Sequence, residues 1–426
     1  MPTLLRAPRP VALDCSPPEA AARCRHLPGL AFFDSSREGG GDGDLSIIAA
    51  CPREIFRGDL QGDSAPLEAM LVSRSTGVPA DDGLPHGFLA GFVEYDGAFC
   101  FGRFEDALFF RHSDQSWHEL GDLRSRLREP ETAGPLPRVH FQSYLRRDQF
   151  CGMVRRAQDY IAAGDIYQVN LSHRFSTPWA GEPFEFYEAL RHYSPAPFAA
   201  FLDLGGRCVL SSSPESFLKM SGRAIRTRPI KGTRPRRAAP EADERSAYDL
   251  ITSRKELAEL VMITDLERND LGQVCEFGSV RVTELLKLER HEHVFHLVST
   301  IEGRLREEVG HLGALRACFP GGSITGAPKR RAREIIAELE PEPRGLYTGA
   351  VGWLGFNGES QFNIAIRTVV IERELAHFHV GAGIVADSIP ECEWQETLDK
   401  AAGILLAAER LGRNERTTPH PPRQIR

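Results

Sequence analysis

Arg228-Pro229-Ile230-Lys231-Gly232-Thr233-Arg234-Pro235-Arg236 fences one lysine between two prolines and follows it with a glycine. Proline fixes φ and removes a donor, while glycine permits close backbone approach. The stretch reads as a stiff, shaped strand end or loop that holds Lys231 in place. Lysine is scarce in this chain: six lysines stand among 52 basic side chains. Lysine can lose its proton when desolvated and become an amine nucleophile, which arginine cannot do. The bland alternative is a solvated turn lysine, and the neighbouring segments decide between the two.

Working backwards, residues 198–204 and 207–213 predict a hairpin around Gly205-Gly206. Ser211-Ser212-Ser213-Pro214-Glu215 follows at once. Glu215 precedes Lys231 by sixteen residues, about one further hairpin, which returns both side chains to one side of a sheet. Further back, residues 146–163 predict a helix that ends at Gly164, and Ile166–Leu171 alternates like a strand.

Working forwards, residues 243–267 predict one long amphipathic helix, and residues 391–411 a last one. Each carries two glutamates spaced i, i+3: Glu256 with Glu259, and Glu393 with Glu396. That spacing puts each pair on one helix face, where like charges repel by a few tenths of a kcal/mol. Carboxylate oxygens from two helices, with water and a ligand carboxylate, suit Mg²⁺; two solvated helix faces are the plain alternative. Phe319-Pro320-Gly321-Gly322-Ser323-Ile324-Thr325-Gly326-Ala327-Pro328-Lys329 is a glycine-rich loop leading to a helix predicted over 327–339. It fails the phosphate-loop pattern, because Ala327 stands where lysine is required. Its backbone N–H groups, like those of Gly381-Ala382-Gly383, suit a carboxylate, or else mark tight turns alone. Strands are predicted at 347–356, 361–371 and 376–385. Arg367 is a charge on an otherwise apolar strand, and its fork fits a carboxylate, from a ligand or from the protein. Tyr347, at the start of a neighbouring strand, offers a hydroxyl.

Residues 1–140 read as strand-rich, with apolar runs at 30–36 and 87–95. The charged, proline-containing stretch 120–137 reads as a connection between two lobes, and 413–426 as a disordered tail. The chain has 426 residues, 41% of them hydrophobic, and a formal net charge of −7. It bears no persistent basic stripe, which argues against nucleic acid. Nine scattered cysteines without a Cys-x-x-Cys pair argue against a disulfide framework and for a reducing cytoplasm. No signal-like stretch opens the chain and no run approaches the ~18 apolar residues of a membrane span.

In order along the chain stand Ser212-Ser213-Pro214-Glu215, Pro229–Thr233, Lys255–Glu259 running on to Asp265-Leu266-Glu267-Arg268-Asn269-Asp270-Leu271-Gly272, the Phe319–Lys329 loop, Ala365-Ile366-Arg367-Thr368, and Gly381 to Lys400. Together they resemble the chorismate-utilising enzymes, a family that includes anthranilate synthase, aminodeoxychorismate synthase, isochorismate synthase and salicylate synthase. The resemblance covers residues ~143–408 and extends more weakly over the first 140. It implies an α+β fold, a two-lobed sandwich of large, mostly antiparallel sheets with outer helices, and a catalytic portion at 141–412. Anthranilate enzymes typically carry alanine where this chain has Lys231, and a Pro-Ile-Lys-Gly-Thr segment resembles the aminodeoxychorismate branch. Gln168 stands where the isochorismate and salicylate enzymes carry a water-activating lysine, which argues against water as the incoming nucleophile.

The resemblance implies chorismate as substrate, Lys231 as covalent nucleophile and Glu215 as general acid. It places Mg²⁺ on the ring carboxylate, held by Glu259 and Glu396, with Glu256 and Glu393 direct or through water. Gly232 and Thr233 would face the ring carboxylate. Tyr347, Arg367 and the Gly381-Ala382-Gly383 backbone would hold the enolpyruvyl carboxylate, with His296, Thr325 and Lys400 as further pocket positions. Ammonia would come from a separate glutaminase chain, since no Gly-x-Cys-x-Gly elbow is present. Ser35, Pro197, Phe198 and Ala199 match the places where relatives hold tryptophan. Anthranilate synthesis and a non-catalytic chorismate- or tryptophan-binding regulator are the competing expectations.

Overall fold

The computed structural model describes residues 7–35, 43–74, 82–130, 139–291 and 294–411. The tail at 413–426 and most of the glycine-rich 39–43 stretch lie outside them. Among the described residues the strands form two antiparallel sheets, of 12 and 10 strands. Segments on either side of residue 140 contribute to both sheets. Ala31–Asp34 pairs with Phe198–Leu204 in the larger sheet, and Phe88–Val93 pairs with Ala350–Gly355 in the smaller one.

The sheets face each other across a core that includes Ile47, Phe88, Phe109, Val209 and Trp353. Every residue of Phe88–Val93 is buried. A strand covered on both faces has no need to alternate, which is why that stretch reads as a continuous apolar run. Gly91 permits close strand pairing there: a Cβ would lie 1.9 Å from the Cys100 carbonyl oxygen. Helices Pro183–Tyr193 and Pro390–Arg410 cover the outer face of the larger sheet, and Arg254–Gly272 and His311–Cys318 that of the smaller. This is the α+β sandwich of large antiparallel sheets with outer helices that the sequence implied.

The 198–213 hairpin forms as expected, and Ser216–Ser221 with Ala224–Arg228 is the further hairpin that carries the chain from Glu215 to Lys231. Helix Arg147–Ala162 ends with Gly164 at φ +82°. Two expectations are corrected. The helix expected over 243–267 is two helices, Pro240–Ile251 and Arg254–Gly272, because Ser253 caps the second with its side chain on the Glu256 N–H. The strand expected over 361–371 is broken into Glu359–Ile364 and Thr368–Glu372, which belong to different sheets. Arg367 is therefore not on a strand. It sits in the crossing segment with φ +50°, a conformation that non-glycine residues rarely adopt.

Candidate active site

The chain crosses between the sheets at two adjacent places. Pro214-Glu215 links Arg207–Ser213 of the larger sheet to Ser216–Ser221 of the smaller, and residues 365–367 return in the opposite sense. The crossings are tied together: the Ser213 hydroxyl donates to the Ile364 carbonyl at 2.6 Å, and the Ile364 N–H to the Glu215 carbonyl at 3.1 Å. They deliver Glu215 and Arg367 into one cavity of about 490 Å³.

Strand Ile230–Pro235 delivers the lysine. Its pairing with Val294–Arg304 slips between Lys231 and Thr233, and Gly232 takes φ +73° at the slip. Such a bulge re-aims a side chain, and Lys231 lines the cavity with its Nζ donating to the Ser323 carbonyl at 3.2 Å. Thr233, two residues on, shares a hydrogen bond of 3.0 Å with His296 Nδ1. The Gln168 side chain lies over Gly383, where a Cβ would sit 2.5 Å from Gln168 Nε2 and 3.9 Å from Lys231 Nζ.

Glu215 is 6% exposed. Burial pushes its carboxyl up to about 7, and the Glu267 charge adds to this, against the pull of the Ser323 hydroxyl and Lys231. A carboxylic acid poised near neutrality beside an amine is a proton donor matched to working pH.

Three of the four predicted glutamates, Glu256, Glu259 and Glu396, line the same cavity, with Lys255 and Lys400. Burial raises the Glu259 carboxyl; Lys231 and Lys255 lower it, while Glu256 and Glu396 raise it further. Burial also works to raise Glu396, but Lys400, 2.7 Å away, together with Lys255 and Lys231 brings it below the usual range. Glu393 stands behind this wall. It is 2% exposed and bonded to Ser388 at 2.7 Å and to Lys255 at 3.2 Å, with Oε2 lacking a partner. Among the described residues no three acidic, imidazole or thiol side chains are gathered closely enough to hold a metal ion by themselves. The carboxylate-only donors and their mutual repulsion fit a hard divalent cation completed by water and a ligand carboxylate.

Tyr347, Arg367, Gly381, Gly383 and Lys400 form the far wall. Tyr347 stacks on His379 with ring centroids 5.4 Å apart, and Lys400 Nζ donates to the Gly381 carbonyl at 3.0 Å. The structure places Ala382 and Thr325 elsewhere. Ala382 turns into the core beneath Phe150 and Ile335. Thr325 is fully buried, with its hydroxyl donating to the Gly321 carbonyl at 3.0 Å.

Three contributors escaped the sequence reading. Ser323 touches both Glu215 and Lys231. Arg344, 3% exposed, forks onto Glu340 at 2.7 and 2.9 Å and donates to the carbonyls of Asn170 and Ile324 and to the Thr348 hydroxyl, fixing the loop beside Tyr347. Glu267 accepts from the Gly322 N–H at 2.9 Å. The i, i+4 spacing of Glu340 and Arg344 was the one local signal among these.

Pro197, Phe198 and Ala199 line a second cavity between the sheets, with Asp34 and Trp353. It measures about 30 Å³. Ser35 lies beside it, its N–H donating to Ser46 Oγ at 3.3 Å.

The chain belongs to the chorismate binding enzyme family, which it matches over residues 83–406. It is 47% identical over 300 residues to anthranilate synthase component 1 of Thermus thermophilus, covering 68% of this chain and 65% of that protein. It is 44% identical over 297 residues to aminodeoxychorismate synthase component 1 of Bacillus subtilis, covering 70% and 62%. The match thus spans less than two thirds of the length of either relative. Among solved structures, anthranilate synthase component I from Streptococcus pneumoniae superposes with a TM-score of 0.76 at 32% identity, over 86% of this chain and 93% of that one. The menaquinone-specific isochorismate synthase of Escherichia coli has a TM-score of 0.75 over 94% and 93%, and at 20% identity shows the fold alone.

Proposed function

We propose that the chain aminates chorismate at C4 to give 4-amino-4-deoxychorismate, the precursor of p-aminobenzoate in folate synthesis, with ammonia from a separate glutaminase chain. The observation that carries the reading is the pair Lys231 and Glu215, an amine on the Ser323 carbonyl and a carboxylic acid poised near neutrality on the Ser323 hydroxyl.

Replacing a ring hydroxyl with retention is awkward in one step and simple in two. Lys231 Nζ bonds to C2 while the C4–O bond breaks and the ring double bonds shift. Glu215 gives its proton to the departing oxygen, which leaves as water. Ammonia then bonds to C4, the double bonds shift back, and the C2–N bond breaks to release the Lys231 amine. The new ammonium returns a proton to the Glu215 carboxylate. Tyr347, Arg367 and the backbone of Gly381 and Gly383 hold the enolpyruvyl carboxylate, and Thr233 and His296 flank the ring carboxylate. Glu259 and Glu396, backed by Glu256 and Glu393, would hold Mg²⁺, which when bound supplies positive charge to the ring carboxylate. Gln168, a neutral amide beside the amine, suits ammonia rather than water as the second nucleophile.

All nine cysteines are free, which supports a reducing cytoplasmic setting. Among the described residues no helix is long and apolar enough to cross a membrane.

Anthranilate synthesis is the second reading, favoured by the 47% identity to a protein of that name. The two part at pyruvate. With chorismate, ammonium and Mg²⁺, the proposal predicts an aminated product that retains its enolpyruvyl group until a lyase is added. Immediate release of pyruvate with anthranilate would overturn it.

A further inference from the structure

We propose that Glu267 is a positioning residue for the reaction: through the Gly322–Ser323 turn it sets where Ser323 stands between Glu215 and Lys231. Glu267 lies on helix Arg254–Gly272, further along from the glutamates that line the cavity, and does not itself reach the cavity. It is 2% exposed. One oxygen accepts from the Gly322 N–H at 2.9 Å, the carboxylate also takes the Ser323 N–H, and Oε2 is buried without a partner. The nearby cation, Lys329, bonds directly to Asp270 and to the Cys318 carbonyl and acts on Glu267 through space.

A carboxylate buried this deeply is a costly way to hold a turn, so its use here calls for a reason beyond folding. Glycine at 322 leaves room for this approach: a Cβ would stand 3.1 Å from Glu267 Oε1 and 2.6 Å from Leu266 Cδ2, so the neighbouring side chains would have to shift. The turn so held presents both catalytic contacts: the Ser323 hydroxyl to Glu215 and the Ser323 carbonyl to Lys231 Nζ. Glu267 also acts on Glu215 through space: burial raises its own carboxyl, and in its ionised form its charge favours the protonated acid. The groups facing Glu215 are Ser323, Lys231, Glu267 and the Ile230 N–H; those facing Glu267 are Lys329, the N–H groups of Gly322 and Ser323, and the Thr227 hydroxyl, with Asp270 next along its helix.

The inference rests on Glu215 and Lys231 being the reacting pair, and is independent of which product forms. The test is therefore chorismate consumption from pH 6 to 9 for the parent, Glu267→Gln and Glu267→Leu, with thermal melting of each. Leucine removes the acceptor, and kcat is expected to fall roughly tenfold or more with KM nearly unchanged. Glutamine keeps an acceptor for the Gly322 N–H and restores most of kcat. It also removes the neighbouring charge, so Glu215 ionises earlier and the alkaline limb moves to lower pH. Unchanged kcat and limb in both variants would overturn the proposal. So would a loss of kcat that follows the loss of folded protein while the limb stays in place.

Discussion

Lys231 spans the cavity and donates its Nζ hydrogen to the backbone carbonyl of Ser323 at 3.2 Å. The amine is thereby aimed by two elements far apart in sequence, the bulged strand below it and the glycine loop opposite. Several consequences can be measured.

In the proposed amination Glu215 acts protonated, and burial places its carboxyl at about 7. Turnover should therefore decline as pH rises through about 7, and Glu215→Gln should lose roughly 100-fold or more in kcat. Stability should fall over the same pH range. A carboxyl raised in the folded state stabilises fully below its ordinary value near 4.5, and that contribution is lost as pH rises through about 7. The glutamine variant should thus exceed the parent by about 3 kcal/mol at pH 8 and match it near pH 4. Denaturant melts at the two pH values check this.

Gly232 combines φ +73° with a crowded site, where a Cβ would come 2.6 Å from Leu250 Cδ1 and 3.0 Å from Glu256 Oε2. Gly232→Ala should cost about 1–3 kcal/mol in strain and displace both the lysine and a cavity carboxylate. Its kcat should fall more than its melting temperature suggests, which paired kinetic and thermal measurements would show.

Glu259 is raised by burial and by Glu256 and Glu396. Glu259→Gln removes one repelling charge and one ionic oxygen donor. The folded protein should be slightly more stable without metal, while titration calorimetry should show Mg²⁺ bound more weakly than by the parent. Equal Mg²⁺ affinity would remove Glu259 from the donor set.

Arg344 and Glu340 form an ion pair with side chains 1% and 4% exposed. Removing one partner strands a buried charge, at about 3–5 kcal/mol. Arg344→Met should lose that much in a denaturation curve, and Arg344→Met with Glu340→Met should recover a good part of it.

The sequence made local features plain and long-range ones obscure. Gly205-Gly206 announces its hairpin because glycine favours the positive φ of the turn, +69° and +84° here. The i, i+3 glutamates declare a shared face wherever a helix forms. Ser253 and Glu256 carry a helix-start signature, yet the apolar rhythm on both sides hid the break between the helices. The crossing at Arg367 was equally hidden. Apolar and β-branched residues flank it on both sides, and only the pairing of Ile364 and Thr368 with different sheets separates them. Ser323, Arg344 and Glu267 act through partners from 4 to 174 positions away, so pattern within a window scarcely reveals them. Thr325 and Ala382 were drawn in by their neighbours, and their burial follows from a turn and a strand pleat respectively.

Turnover of chorismate with ammonium by Lys231→Ala, compared with the parent at saturating substrate and with the product identified, bears most directly on the amine. Loss of C4 amination by roughly 100-fold or more in a variant that still folds and binds chorismate is the predicted result. Amination at the parental rate would contradict it.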